Sequence, residues 1–107
     1  MNYFFGTVKI LNKFVQNFND GKIIKLIFQV EMSQTRQNRL VSLIFWGNLA
    51  NEVKDYYQIN DYILIEGYSS IDNKNLKTEK KKPVKLIITV LKVYPFLLNS
   101  DQKQIND

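Results

Sequence analysis

The interval between apolar residues changes character once along this chain, and that change limits the folds open to it. From Gly47 to Asn60, Leu49, Ala50, Val53, Tyr56 and Tyr57 recur at spacings of three and four, while Asn48, Asn51, Glu52, Lys54 and Asp55 fall between them. This spacing predicts one amphipathic helix of about two to three turns, closed by Asn60-Asp61. On both sides of it the chain reads as strand. With 107 residues there is room for one domain and one core, so every element has to share that core.

In the first strand, over residues 3–14, Phe4, Val8, Ile10 and Phe14 alternate with Thr7, Lys9, Asn12 and Lys13. Gly6 interrupts this run, which suggests a bulge or coil where the strand serves two sheet edges, or else a neutral strand glycine. Asp20-Gly21 predicts a hairpin turn. Lys22–Glu31 and Leu40–Trp46 follow as strands two and three of a meander, separated by the polar loop 33–39. Tyr62–Tyr68 restores the strand period after the helix, and 69–83 reads as a long polar loop. Val84–Tyr94 is the last strand, apolar on both faces, and Pro95 is expected to end it. Five strands with a helix between the third and fourth is the chain order of the OB-fold, an all-β, five-stranded Greek-key barrel. The alternative, a small SH3-like barrel, usually carries its helical turn just before the last strand. The expected domain spans 1–98, with 99–107 a polar, mobile tail.

Composition narrows the chemistry. The absence of Cys and His removes disulfides, thiolate metal sites, the commonest metal ligand and histidine-based triads. There is no carboxylate pair, phosphate-binding glycine loop or nucleophile motif, so neither an enzyme nor a cofactor or metal is expected. A formal charge of +5 favours polyanionic partners. No apolar run is long enough to span a membrane. The opening MNYFFGTVKI carries no basic leader with a cleavage site, so a soluble protein acting where it is made is expected. Richness in Asn, Lys and Ile fits an A·T-rich coding sequence, pointing to an organelle genome, a plastid favoured, with a bacterial cytoplasm as the other candidate.

The stretch Leu43-Ile44-Phe45-Trp46-Gly47-Asn48-Leu49-Ala50, then Tyr57, then Ile63-Leu64-Ile65-Glu66-Gly67 resembles the signature of bacterial-type single-stranded DNA-binding proteins. In that family an apolar strand ends in an aromatic-Gly-polar-Leu-Ala helix start, and the next strand carries apolar-x-apolar-Glu-Gly. Asn2, Gly6 and the Asp20-Gly21 turn fit the same frame, and the resemblance covers residues 1 to about 94. It implies an OB-fold, oligomerisation as a homodimer or homotetramer, and binding of single-stranded DNA in replication or maintenance. It also implies an outward aromatic at Trp46 on which a base can stack. Further platforms implied by the family are replaced here by Leu40, Arg36 or its neighbours, and Lys74. The family's acidic, apolar-tipped tail, which recruits protein partners, is absent from Asp101-Gln102-Lys103-Gln104-Ile105-Asn106-Asp107.

From the residues themselves, Gly47 turns strand into helix, Leu49 and Ala50 face the barrel mouth, and Ile63 and Ile65 point inward with Leu64 outward. Glu66 reads as a structural hydrogen-bond acceptor. Trp46 and Tyr68 are the candidate stacking residues. Among the other aromatics Tyr3, Phe5 and Tyr62 could also stack, although core packing is the expected fate of most. Lys74, Lys77, Lys80, Lys81, Lys82 and Lys85 fall on the loop between the last two strands, which OB-folds use to follow a phosphate backbone. Lys9, Lys13, Lys22 and Lys25 are expected on the outer faces of the first two strands, and Arg36 and Arg39 on the adjoining loop. All but Lys13 are candidate phosphate contacts. The plainer readings are a solvated charged loop and lysines that discourage edge pairing. Three functions stay open: a single-stranded DNA binder without strong sequence preference, an RNA-binding module, and a structural or adaptor subunit of a larger assembly.

Overall fold

The computed structural model describes residues 2–32, 41–71 and 85–99. Five strands, β1 (Asn2–Asn19), β2 (Lys22–Met32), β3 (Val41–Trp46), β4 (Tyr62–Ile71) and β5 (Leu86–Leu97), surround one core, and the helix α1 (Gly47–Val53) sits between β3 and β4. The sheet closes as a barrel in the order β1-β2-β3-β5-β4, with β3 and β5 parallel and the other neighbours antiparallel. Closure removes the free edges that a short sheet would otherwise expose. This is the expected OB-fold, with its helix in the expected place.

Asp20 and Gly21 both take positive φ, 51° and 76°, the geometry of a two-residue primed turn, and Asn19 pairs with Lys22 across it. Gly47 begins the helix at φ 57°, a value that carries little penalty only without a Cβ. The core is aliphatic, built on Val8, Ile10, Leu26, Leu43, Ile63, Ile65 and Ile88, with Phe28 and Phe45 at 4.7 Å ring separation. Ala50, Val53 and Tyr57 close one end. Asn51, expected on the solvent side of the helix, instead docks it: its amide accepts from the Ile23 N–H at 3.0 Å and donates to the Ile23 carbonyl at 2.7 Å.

Several expectations are corrected. Residues 2–9 of β1 pair with β4 and residues 8–19 with β2, so the strand does serve two edges, but its ladder runs without a shift through Gly6. The register shifts fall instead at Leu11 and near Gln16. Because one extra residue reverses the facing of everything beyond it, Phe14 is exposed rather than buried. Lys13 turns toward the barrel end, where its ammonium donates to the carbonyls of Lys54 and Tyr57 at 2.8 and 2.7 Å. The helix stops at Val53, leaving Tyr56 exposed. β4 continues to Ile71, beyond the expected start of the loop at Ser69.

Pro95 does not end β5. It pairs with Ile63 beside a register shift, an irregularity where a missing N–H costs little, and the strand runs on to Leu97. Tyr3 and Phe5 are exposed rather than core and Tyr62 is half-buried, while Tyr68 is exposed, as a stacking candidate must be. The backbone N–H of Asn99 is held by the Asp61 carboxylate at 2.7 Å, so this first residue of the expected tail is anchored. Leu40 and residues 100–107 lie outside the described residues.

Candidate nucleic-acid interface

One antiparallel ladder, β2–β3, and one parallel ladder, β3–β5, set the outer face of β2, β3 and β5. On β3, Val41, Leu43 and Phe45 point into the core, so Ser42, Ile44 and Trp46 share the outer side. Trp46 is 49% exposed, and it ends the strand because Gly47 turns the chain away immediately after it. Lys25 is its direct partner on β2, with the ammonium 5.1 Å from the indole centroid. An open ring with a cation beside it can take a base on its face and a phosphate at its edge. The expected outward Trp46 and the outer placement of Lys25 both hold.

The remaining candidates divide between two ends of the barrel. Lys22 is exposed at the hairpin, near the Trp46 end, whereas half-buried Lys85 precedes β5 at the opposite end. The described residues that flank 33–40 and 72–84 meet at that second end, because Val30 pairs with Val41, Val41 with Leu86, and Leu86 with Ile71. Arg36, Arg39, Lys74, Lys77, Lys80, Lys81 and Lys82 lie outside the described residues. From Val41 to Trp46 the face measures about 17 Å at the usual rise per residue. Lys9 is on the outer side of β1, 5.9 Å from the Tyr62 ring and opposite Glu31, away from Trp46.

Tyr68 is 42% exposed and connects to the same face through the row Ile44, Thr89, Tyr68, Tyr3. Its ring meets Tyr3 edge to face at 6.0 Å. Glu66 pairs with Phe5 across the β1–β4 ladder, on the same outer side as Tyr3. Local desolvation first, then the charge of Glu66 and hydrogen bonding to it, push the Tyr3 phenol above its ordinary value. Phe5 on β1 and Tyr94 and Phe96 on β5 are exposed as well, so with Tyr3 and Tyr68 the outer side of β1, β4 and β5 is rich in aromatics.

Gly67 accounts physically for the Glu-Gly pair. A Cβ there would strike the Thr89 carbonyl, where β5 crosses at a register shift. The described residues contain no cluster of three or more metal-ligating side chains, and no helix among them is long and apolar enough to cross a membrane. A cavity of about 330 Å³ opens between the hairpin and the end of α1, lined partly by Val15, Ile23, Leu26 and Lys54. Lys13, also on its wall, is committed to the Lys54 and Tyr57 carbonyls.

Residues 1–97 match the family model described as the N-terminal OB domain of protection of telomeres protein 1. A protein of Trieres chinensis named "Putative single-stranded DNA-binding protein ycf41" is 39% identical over 108 residues, covering 95% of each chain. The chain belongs to this OB-domain family and is a homologue of ycf41. The OB domain is also similar to the solved SSB domain of a Synechococcus protein, with a TM-score of 0.59 at 17% identity, covering 88% of this chain and 94% of that one. At that identity the likeness speaks to the fold alone. The resemblance read from the Trp46-Gly47 and Glu66-Gly67 motifs is borne out by these relatives.

Proposed function

We propose that this OB domain binds single-stranded DNA without strong sequence preference, in DNA replication or maintenance. The observation that carries the reading is the outward Trp46 with the Lys25 ammonium over its ring, on the β2–β3 face that OB-folds use for oligonucleotides. The name of the ycf41 homologue supports the same ligand. A base stacks on Trp46, and Lys25, Lys22 and Lys85 neutralise phosphates, continued by Arg36, Arg39 and the lysines from Lys74 to Lys82. Lys9, on the β1–β4 side, serves a strand that wraps further round the barrel. Tyr68 takes a base at the far end of the path, beyond Thr89, where the Glu66 carboxylate disfavours close phosphates.

The role is one of binding rather than catalysis, in keeping with what the relatives are named for. The aromatic side of β1, β4 and β5 supports assembly into a homo-oligomer, which would add several weak sites on one strand. The name ycf41 is of a plastid-encoded type, and with the A·T-biased composition this favours the plastid stroma.

The test is Trp46 fluorescence during titration with oligo-dT at low and then moderate salt, since this is the chain's single tryptophan. Saturable quenching that weakens as salt rises is expected. An unchanged signal, with a labelled oligo-dT also unbound, would overturn the reading and leave the adaptor.

A further inference from the structure

Resting on that reading, we infer that Phe14 is a second base-stacking platform, flanked by the amides of Asn12 and Gln29, and that it extends the DNA path from β3 across β2 onto β1. The shift at Leu11 turns Phe14 outward, 49% exposed. Phe14 pairs with Ile27, Ile27 pairs with Ile44, and Ile44 is two residues before Trp46 on the same side of β3. The two rings therefore share one face. Two strand spacings of about 4.8 Å and two residues of about 3.3 Å put their positions about 12 Å apart. At the stacked spacing of about 3.4 Å per nucleotide, bases some three steps apart reach both rings.

On its sheet side the surroundings of Phe14 suit a nucleic acid, while on its other flank it lines the cavity whose wall also carries Lys54 and Asp55. Asn12, two residues earlier on the same face, donates its side-chain amide to the Gln29 side-chain oxygen at 3.2 Å. That bond fixes the pair and leaves one Asn12 N–H, both Gln29 N–H groups and the Asn12 oxygen for a base edge or phosphate. Lys25 lies between the rings, diagonal to Phe14 on β2. An apolar contact with another protein would have to bury this amide pair and the cation together. A strand of DNA would use all three.

The experiment compares wild type, Phe14→Leu, and the double variant Trp46→Phe with Phe14→Trp, each checked by thermal melting and by size. Phe14→Leu keeps the apolar bulk and removes the π face. It is expected to weaken oligo-dT binding by about 5- to 150-fold at fixed salt, with the salt slope unchanged. In the double variant the introduced indole is expected to be quenched on saturation. If wild type binds with Trp46 quenched while Phe14→Leu binds equally well and the double variant stays silent, the inference fails and the Trp46 reading stands. A change in oligomeric state with DNA affinity untouched overturns it too, assigning Phe14 to a protein contact. If wild type binds no oligo-dT, both readings fall.

Discussion

Lys25 holds its ammonium 5.1 Å from the centre of the Trp46 ring, on the strand directly beside it. The contact keeps a cation where the phosphate of a stacked nucleotide would pass, while the flexible lysine stem lets the ring face open to a base. Lys25→Gln is expected to weaken oligo-dT binding at low salt and to make the slope of log affinity against log salt shallower by about 0.7, one phosphate's share on a single strand. Titrations at several salt concentrations check this. An unchanged slope would reduce Lys25 to a cover for the indole.

Gly67 is a fold residue. The Cβ of an alanine there would collide with the Thr89 carbonyl, and the colliding atom is backbone in the barrel wall, so it cannot swing aside. Gly67→Ala is expected to cost about 3 kcal/mol, the upper end for overpacking. Gly6→Ala is the contrast, because its Cβ would meet only the end of the Phe4 ring, at 3.0 Å. A cost below about 1.5 kcal/mol is expected there, as for substitutions the core can absorb. Urea denaturation midpoints of the two variants give the comparison.

What was legible in the sequence was what depends on near neighbours. The Asp20-Gly21 turn, the period of two in the strands and the strand-to-helix change at Gly47 all follow from local steric rules and alternation, whereas the outward Trp46 came from the resemblance to single-stranded DNA-binding proteins. The shift at Leu11 leaves no such trace, since no glycine or turn residue marks it, and a slip of one residue was enough to reverse Lys13 and Phe14. Tyr3 and Phe5 were misplaced for a different reason. The closed barrel is filled mainly by aliphatic chains with Phe28 and Phe45, so Tyr3 and Phe5 remain outside, and only the closed geometry reveals that. Asn51 docks on Ile23, and Asp61 holds Asn99, through contacts 28 and 38 residues apart that no local pattern encodes.

Asp61 is 1% exposed, and its two carboxylate oxygens each accept a backbone N–H at 2.7 Å, from Gln58 and from Asn99. One side chain thus fixes the loop after α1 and secures the chain just past β5. Asp61→Ala orphans two donors, each costing about 1–3 kcal/mol if it stays buried, so a loss of about 2–6 kcal/mol is expected. Asp61→Asn retains one acceptor oxygen and should lose roughly half as much. Hydrogen exchange should quicken at the Gln58 and Asn99 amides in the alanine variant. Exchange unchanged at Asn99 would show that the anchor does not depend on this carboxylate.

Tyr57 makes alkaline stability a test of how the barrel end is closed. Its phenol lies buried against the core, and burial first, then the neighbouring Tyr56 and the Asp61 charge, push its pKa up from 10.0 to about 12. The folded protein therefore holds this proton more tightly than the unfolded chain does. Its contribution is fully present below pH 10 and is lost as pH rises toward 12, because there the unfolded state ionises first. The melting temperature of wild type is expected to fall more steeply across this window than that of Tyr57→Phe, which keeps the ring and lacks the titrating group. The comparison cancels the background from every group that the two proteins share. Parallel melting curves from pH 9 to 12 would mean that the Tyr57 hydroxyl reaches solvent and that α1 closes the barrel without burying it.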